Sequence, residues 1–158
     1  TVLDIGSGIG RLSAAFDKDR YIGVDLNPDA LRQAEKENPG YTYKEVFIET
    51  EKFPEADTCL AYTVFLHLDD DTLDGLLGRL SATTRKYFIV SEILGNEWRR
   101  GGLPPVFNRE KQEYADLMDR HGFSLCYEDH QPYARYINDP AFADKKNKDI
   151  SFLVFEKR

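Results

Sequence analysis

The sequence predicts an open α/β sheet of seven strands, mostly parallel, with helices on both faces and the seventh strand reversed. Three observations carry this. Short apolar runs alternate five times with helical or loop stretches, and parallel strands need such crossovers. Two strand-like runs then close the chain with no helix between them, which makes that pair antiparallel. No linker, repeat or low-complexity tract divides the 158 residues, so 1–158 reads as a single domain.

Each element has its own signal. Val2-Leu3-Asp4-Ile5 is a buried strand ending in glycines, and Leu12, Ala15 and Phe16 mark one face of a helix after it. Tyr21 to Asp25 is the second strand. Asn27 is placed to cap a helix with Pro28 in its first turn, running to about Glu37 before Asn38-Pro39-Gly40 stops it. A third strand lies within Tyr41 to Ile48, and Thr58 to Val64 is the strongest buried run. Leu73, Leu76, Leu77 and Leu80 follow i, i+3, i+4, i+7 spacing, with Asp69 to Asp71 at the helix start, where negative charge is favourable. Tyr87 to Leu94 is the fifth strand, and Gly95 to Phe107 an irregular insertion. A helix with Tyr114, Leu117 and Met118 inward ends at Gly122. Phe123 to Glu128 and Ser151 to Glu156 are the closing strands.

Composition narrows the function. With 28 acidic and 21 basic side chains the formal charge is −7, which argues against a nucleic-acid partner. No run reaches the roughly 20 apolar residues of a membrane span, and no signal peptide is visible, so a cytoplasmic protein is expected. Cys59 and Cys126 both lie in apolar stretches and make neither a disulfide framework nor a zinc site. Adjacent carboxylates at 69–71 read as helix caps, so no metal is expected.

Ligands of such sheets bind beyond the carboxyl ends of the strands. The first loop there, Gly6-Ser7-Gly8-Ile9-Gly10-Arg11, turns sharply and opens towards free backbone N–H groups. It departs from the dinucleotide pattern G-x-G-x-x-G, because its third glycine comes one residue early and Arg11 takes the glycine position. Asp25 ends the second strand about 20 residues beyond the first glycine, where an acid hydrogen-bonds a ribose diol and repels a 2′-phosphate. The expected ligand contains a ribose without the pyrophosphate geometry of NAD.

Val2 to Gly10 resembles motif I of the class I S-adenosylmethionine-dependent methyltransferases. Tyr21 to Pro28 resembles their second motif, and Phe53-Pro54 through Leu68 the motif around strand four. The resemblance spans essentially the whole chain and implies a Rossmann-like sheet and S-adenosylmethionine as cofactor. It implies that Gly6, Ser7, Gly8 and Gly10 bring backbone to the cofactor, and that Asp4 supports the loop and the ammonium. Asp25 would bind the ribose hydroxyls and Leu26 would pack on adenine. Glu49 and Thr50 would meet the adenine edge, while Ala61 and Tyr62 would line the methionine end through backbone. Arg11 would pair with the methionine carboxylate, or stand solvated in the first turn. Family members usually carry a helical segment before motif I that closes over the cofactor; here Thr1 stands directly at the first strand, so either the chain is a piece of a longer protein or the lid is missing.

Methyl transfer from a sulfonium needs collinear positioning, with a base where the acceptor loses a proton. His67 is the candidate base, or a residue packing the loop. Tyr62 is placed to face the methyl group, and Glu92 to accept from a substrate amine or hydroxyl, or to sit buried with a structural partner. Trp98, Arg99 and Arg100 suit stacking and bidentate recognition of an acidic acceptor. Arg109 and, in the connection before the last strand, Tyr133 are further acceptor candidates. The leading expectation is methyl transfer to oxygen or nitrogen of a small molecule. A protein or peptide acceptor is the alternative, on Arg11 and Leu66-His67-Leu68, as is a non-catalytic cofactor-binding module.

Overall fold

A computed structural model describes residues 1–47, 52–95, 104–132 and 149–158. Its strands are β1 (Val2–Ile5), β2 (Tyr21–Asp25), β3 (Thr42–Glu45), β4 (Ala56–Tyr62), β5 (Thr84–Glu92), β6 (Phe123–Pro132) and β7 (Asp149–Lys157). They form one sheet in the order β3-β2-β1-β4-β5-β7-β6. The pairs from β3 to β5 are parallel, and β7 runs antiparallel to both β5 and β6. The seventh strand is therefore reversed, as expected, and stands second from the edge. Strand order reverses between β1 and β4, so the crevice at their carboxyl ends is the switch point of the sheet.

Helices α1 (Pro28–Glu37), α2 (Asp70–Thr83) and α3 (Lys111–Arg120) divide between the faces. On one face, Leu73, Leu76, Leu77 and Leu80 of α2 and Tyr114, Leu117 and Met118 of α3 join Leu3, Ile5, Cys59, Phe88, Leu153 and Phe155 in the main core. On the other, Leu31 and Ala34 of α1 pack with Tyr21 and Tyr43. The caps match the sequence. The Asn27 side chain accepts from the amides of Asp29 and Ala30, with Pro28 in the first turn, and the Asp69 side chain accepts from Thr72 N.

Two expectations need correction. The helix after the glycine turn is reduced to two 3-10 turns, Ser13–Ala15 and Lys18–Arg20. Ser13 Oγ donates back to the Gly10 carbonyl at 2.7 Å, a local bond that competes with helix propagation, and only ten residues separate Gly10 from β2. Cys126 is exposed rather than apolar-packed, because β6 is an edge strand with a register shift between Leu125 and Tyr127. Among the described residues no helix is long and apolar enough to cross a membrane, and no cluster of His, Cys, Asp and Glu is arranged to hold a metal.

Candidate active site

The carboxyl ends of β1, β2 and β4 enclose two adjoining hollows. The larger, about 470 Å3, is lined by Asp4, Gly6, Ser7, Gly8 and Arg11 on one side and by Tyr62, Thr63, Val64 and His67 on the other. The smaller, about 260 Å3, is lined mainly by apolar residues, among them Val24, Leu26, Val46 and Leu68, with Asp25 at its rim. Gly6, Thr63, Val64 and His67 border both.

The glycine turn is built for close approach at two points. Gly6 has φ +67°, and a Cβ there would stand 2.4 Å from Val64 Cγ2, so only hydrogen fits between the turn and the chain leaving β4. Gly10, at φ +75°, instead faces inward, where a Cβ would lie 2.3 Å from the Tyr43 hydroxyl. Gly10 thus closes the turn against the α1 face of the sheet. Ser7 lines the larger hollow, while its amide donates to the Val24 carbonyl at 3.0 Å and its hydroxyl packs beside Gly23.

Asp25 does structural work that its spacing does not reveal. Oδ2 accepts the Gly8 amide at 2.8 Å and Oδ1 accepts the Asn27 amide at 2.9 Å. Each oxygen keeps a second lone pair for a hydroxyl. Leu26 beside it is 60 % exposed, an apolar side chain standing at the smaller hollow. Asp4 is buried at the base of the larger hollow, with Oδ2 accepting from the Tyr21 hydroxyl at 2.6 Å. Burial holds its carboxyl up at about 7, against the lowering effect of the Tyr21 bond and with a smaller rise from Asp25.

The segment after β4 forms the opposite wall. Thr63 has φ +53°, the one positive value outside glycine among the described residues, and its amide donates to the Ser91 carbonyl at 2.8 Å. A left-handed β-branched residue is costly. Here it turns the chain from β4 into the 3-10 turn Phe65–His67 and brings Val64 against Gly6. Sequence reasoning missed Thr63 and Val64 because it ran the fourth strand on to Val64, whereas β4 ends at Tyr62. Ala61, expected here, is fully buried within the ladder between Ile5 and Val90, and the next two residues line the hollow instead. Tyr62 packs against Phe152 with ring centroids 6.4 Å apart. His67 Nδ1 lies 2.9 Å from the Pro105 carbonyl, which accepts only, so Nδ1 carries a proton and Nε2 is the ring nitrogen left for another partner.

Two candidates take other roles. Glu92 is fully buried, and its Oε1 accepts from the amides of Val64, Phe65 and Leu66 at 2.9, 2.7 and 3.4 Å. It therefore anchors the wall from behind and does not reach an acceptor. Burial pushes its carboxyl up to about 8, outweighing those amides and Arg109. Arg109, 1 % exposed, donates to the carbonyls of Phe65, Leu68 and Phe107 at 2.8–3.1 Å and to Asp70 at 2.6 Å. Every direction of its guanidinium fork is engaged by protein, so it is a strut and not an acceptor contact. Glu49, Thr50, Trp98, Arg99, Arg100 and Tyr133 lie outside the described residues. His130 stands on the edge strand β6, with Nδ1 2.9 Å from Ser151 Oγ.

The hollow fits an adenosyl sulfonium compound on the protein's own features. An exposed leucine and an apolar slot stand next to a carboxylate with open lone pairs, and a buried acid lies beyond a backbone that admits no Cβ. The model of the methyltransferase domain family matches residues 2–86, more than half of the chain. The chain belongs to that family and is a class I S-adenosylmethionine-dependent methyltransferase. No curated protein matches the sequence. Among solved structures, it is similar to magnesium protoporphyrin IX methyltransferase from Synechocystis PCC 6803 with bound S-adenosylmethionine, at TM-score 0.75 and 14 % identity over 99 % of this chain and 69 % of that one. It also resembles an S-adenosylmethionine-dependent methyltransferase from Mesorhizobium loti, at TM-score 0.76 and 16 % identity over 99 % and 90 %. At such identities the likeness is one of fold.

Proposed function

We propose that this domain methylates oxygen or nitrogen of a small-molecule acceptor. The observation that carries the reading is the pair of hollows meeting at Gly6, Thr63, Val64 and His67. S-adenosylmethionine, when bound, supplies an activated methyl group on sulfur that leaves by in-line displacement. The smaller hollow receives adenine against Leu26 and Val46, and Asp25 accepts from the ribose hydroxyls. Asp4, Gly6, Gly8 and Arg11 hold the amino-acid end in the larger hollow. His67 Nε2 removes the acceptor's proton, and Tyr62 orients the acceptor beside it. Glu49 and Thr50 read the adenine edge, and Trp98, Arg99, Arg100 and Tyr133 complete the acceptor side. The charge of −7 argues against a nucleic-acid acceptor.

The test is incubation with methyl-labelled cofactor and two separate pools, one of metabolites and one of peptides. Label in the metabolite fraction, with product heavier by one methyl group, is the expected result. Label confined to the peptide fraction overturns the small-molecule reading. Binding of S-adenosylhomocysteine without transfer to either pool overturns the catalytic one.

A further inference from the structure

We propose that Tyr21 is a positioning residue for the methyl donor: it holds one oxygen of Asp4, turns the other towards the larger hollow, and so ties donor uptake to the ionisation of that buried acid. The inference rests on the donor reading above and adds a residue and a proton to it.

The geometry is closed around Asp4. Tyr21 begins β2 and is 1 % exposed, with its ring stacked on Phe16 at 5.7 Å and edge-on to Tyr41 at 5.6 Å. Locked in this way, its hydroxyl has one place to go, Asp4 Oδ2 at 2.6 Å. Oδ1 carries no hydrogen bond among the described residues, and Asp4 lines the hollow. A ring-locked donor on one oxygen leaves the carboxylate no rotation that would hide the other. A ligand ammonium reaching Oδ1 meets a full negative charge in a desolvated place, which favours the ionised acid.

The remaining groups around Asp4 do not substitute for it. Tyr43 on β3 and Cys59 on β4 face it, and burial pushes both of these up, as it does Tyr21, so all three stay neutral. Asp25 at the end of β2 disfavours ionisation of Asp4, and among the described residues no cationic side chain pairs with it. Arg11, Tyr62 and His67 line the same hollow. Without the donor Asp4 therefore holds a proton below about pH 7, and donor binding expels it to solvent.

Calorimetry on the full chain between pH 5.5 and 8 tests this, with S-adenosylhomocysteine and with methylthioadenosine, which lacks the amino-acid end. For S-adenosylhomocysteine, affinity at pH 6 should be about tenfold weaker than at pH 8, with about one proton released per ligand at pH 6, counted from buffers of different ionisation enthalpy. Methylthioadenosine should show neither effect. Tyr21→Phe keeps the ring packing and removes only the bond that favours ionised Asp4, so its midpoint should move up by about one pH unit. Asp4→Asn should flatten the profile, and His67→Gln should leave it in place. A flat native profile, a Tyr21→Phe profile superimposed on the native one, or loss of the profile in His67→Gln overturns the inference while methylthioadenosine binding keeps the site. Failure of both ligands to bind overturns the donor reading and this inference together.

Discussion

Asp25 Oδ2 accepts the amide of Gly8 at 2.8 Å, tying the end of β2 to the middle of the glycine turn. The same carboxylate is the ribose acceptor in the reading above, so Asp25→Ala removes a ligand contact and loosens the turn together. Affinity for S-adenosylhomocysteine should fall by at least about tenfold, or ~1.4 kcal/mol. Asp25→Asn keeps one carbonyl oxygen and should lose less. Calorimetry reads both, and an unchanged affinity in Asp25→Ala removes this residue from the site.

Gly6 and Gly8 share a left-handed backbone but differ in what lies beyond it. A side chain at Gly8 meets nothing within 4 Å, whereas one at Gly6 runs into Val64. Gly8→Ala should therefore cost only the conformational penalty of about 1–2 kcal/mol. Gly6→Ala should cost more and displace the wall after β4. Adding Val64→Ala should restore part of the loss, a coupling of about 1 kcal/mol in a double-mutant cycle followed by thermal melting. Simple additivity would show that the two walls do not touch.

How much of this was legible beforehand follows from what each residue depends on. The leucines of α2 and the caps at Asn27 and Asp69 are local patterns, so spacing alone placed them. The missing helix after Gly10 was hidden because Ser13 spends its hydroxyl on a local carbonyl, a choice no periodicity records. Asp4, Asp25 and His67 could be placed at strand ends because the topology sends those ends to one crevice. Glu92 and Arg109 also sit near that crevice in sequence order. Their partners lie 26–28 and up to 44 residues away, however, and only the fold decides that both grip the back of the wall. Thr63 escaped because composition does not encode the sign of φ.

Arg109 is buried, and its guanidinium donates to the carbonyls of Phe65 and Leu68 after β4, to that of Phe107 and to the Asp70 carboxylate. Arg109→Ala strands three of these acceptors and should destabilise the domain by about 2–4 kcal/mol, a fall of roughly 5–15 °C in Tm. Arg109→Lys should recover only part, since one ammonium cannot span Phe65, Leu68, Phe107 and Asp70 together. Asp70 is largely exposed, so Asp70→Asn should change stability by less than about 1 kcal/mol. Thermal melts of the three variants check the order.

Glu92 gives a prediction whose sign depends on pH. Its folded carboxyl, held at about 8 by burial, keeps a proton that the unfolded chain releases from about 4.5 upward. The native state therefore binds more protons across that window, and stability must fall as pH rises through it, levelling off above about 8. Glutamine cannot titrate, yet its carbonyl oxygen can accept from Val64, Phe65 and Leu66 as Oε1 does. The difference in Tm, Glu92→Gln minus native, should grow between pH 5 and 8, by at most about 1.4 kcal/mol per pH unit or roughly 3–5 °C. Asp4 contributes a slope of the same sign to both proteins and cancels from the difference. A difference that stays level across that range would mean that Glu92 is ionised in the folded chain and that the three amides outweigh its burial.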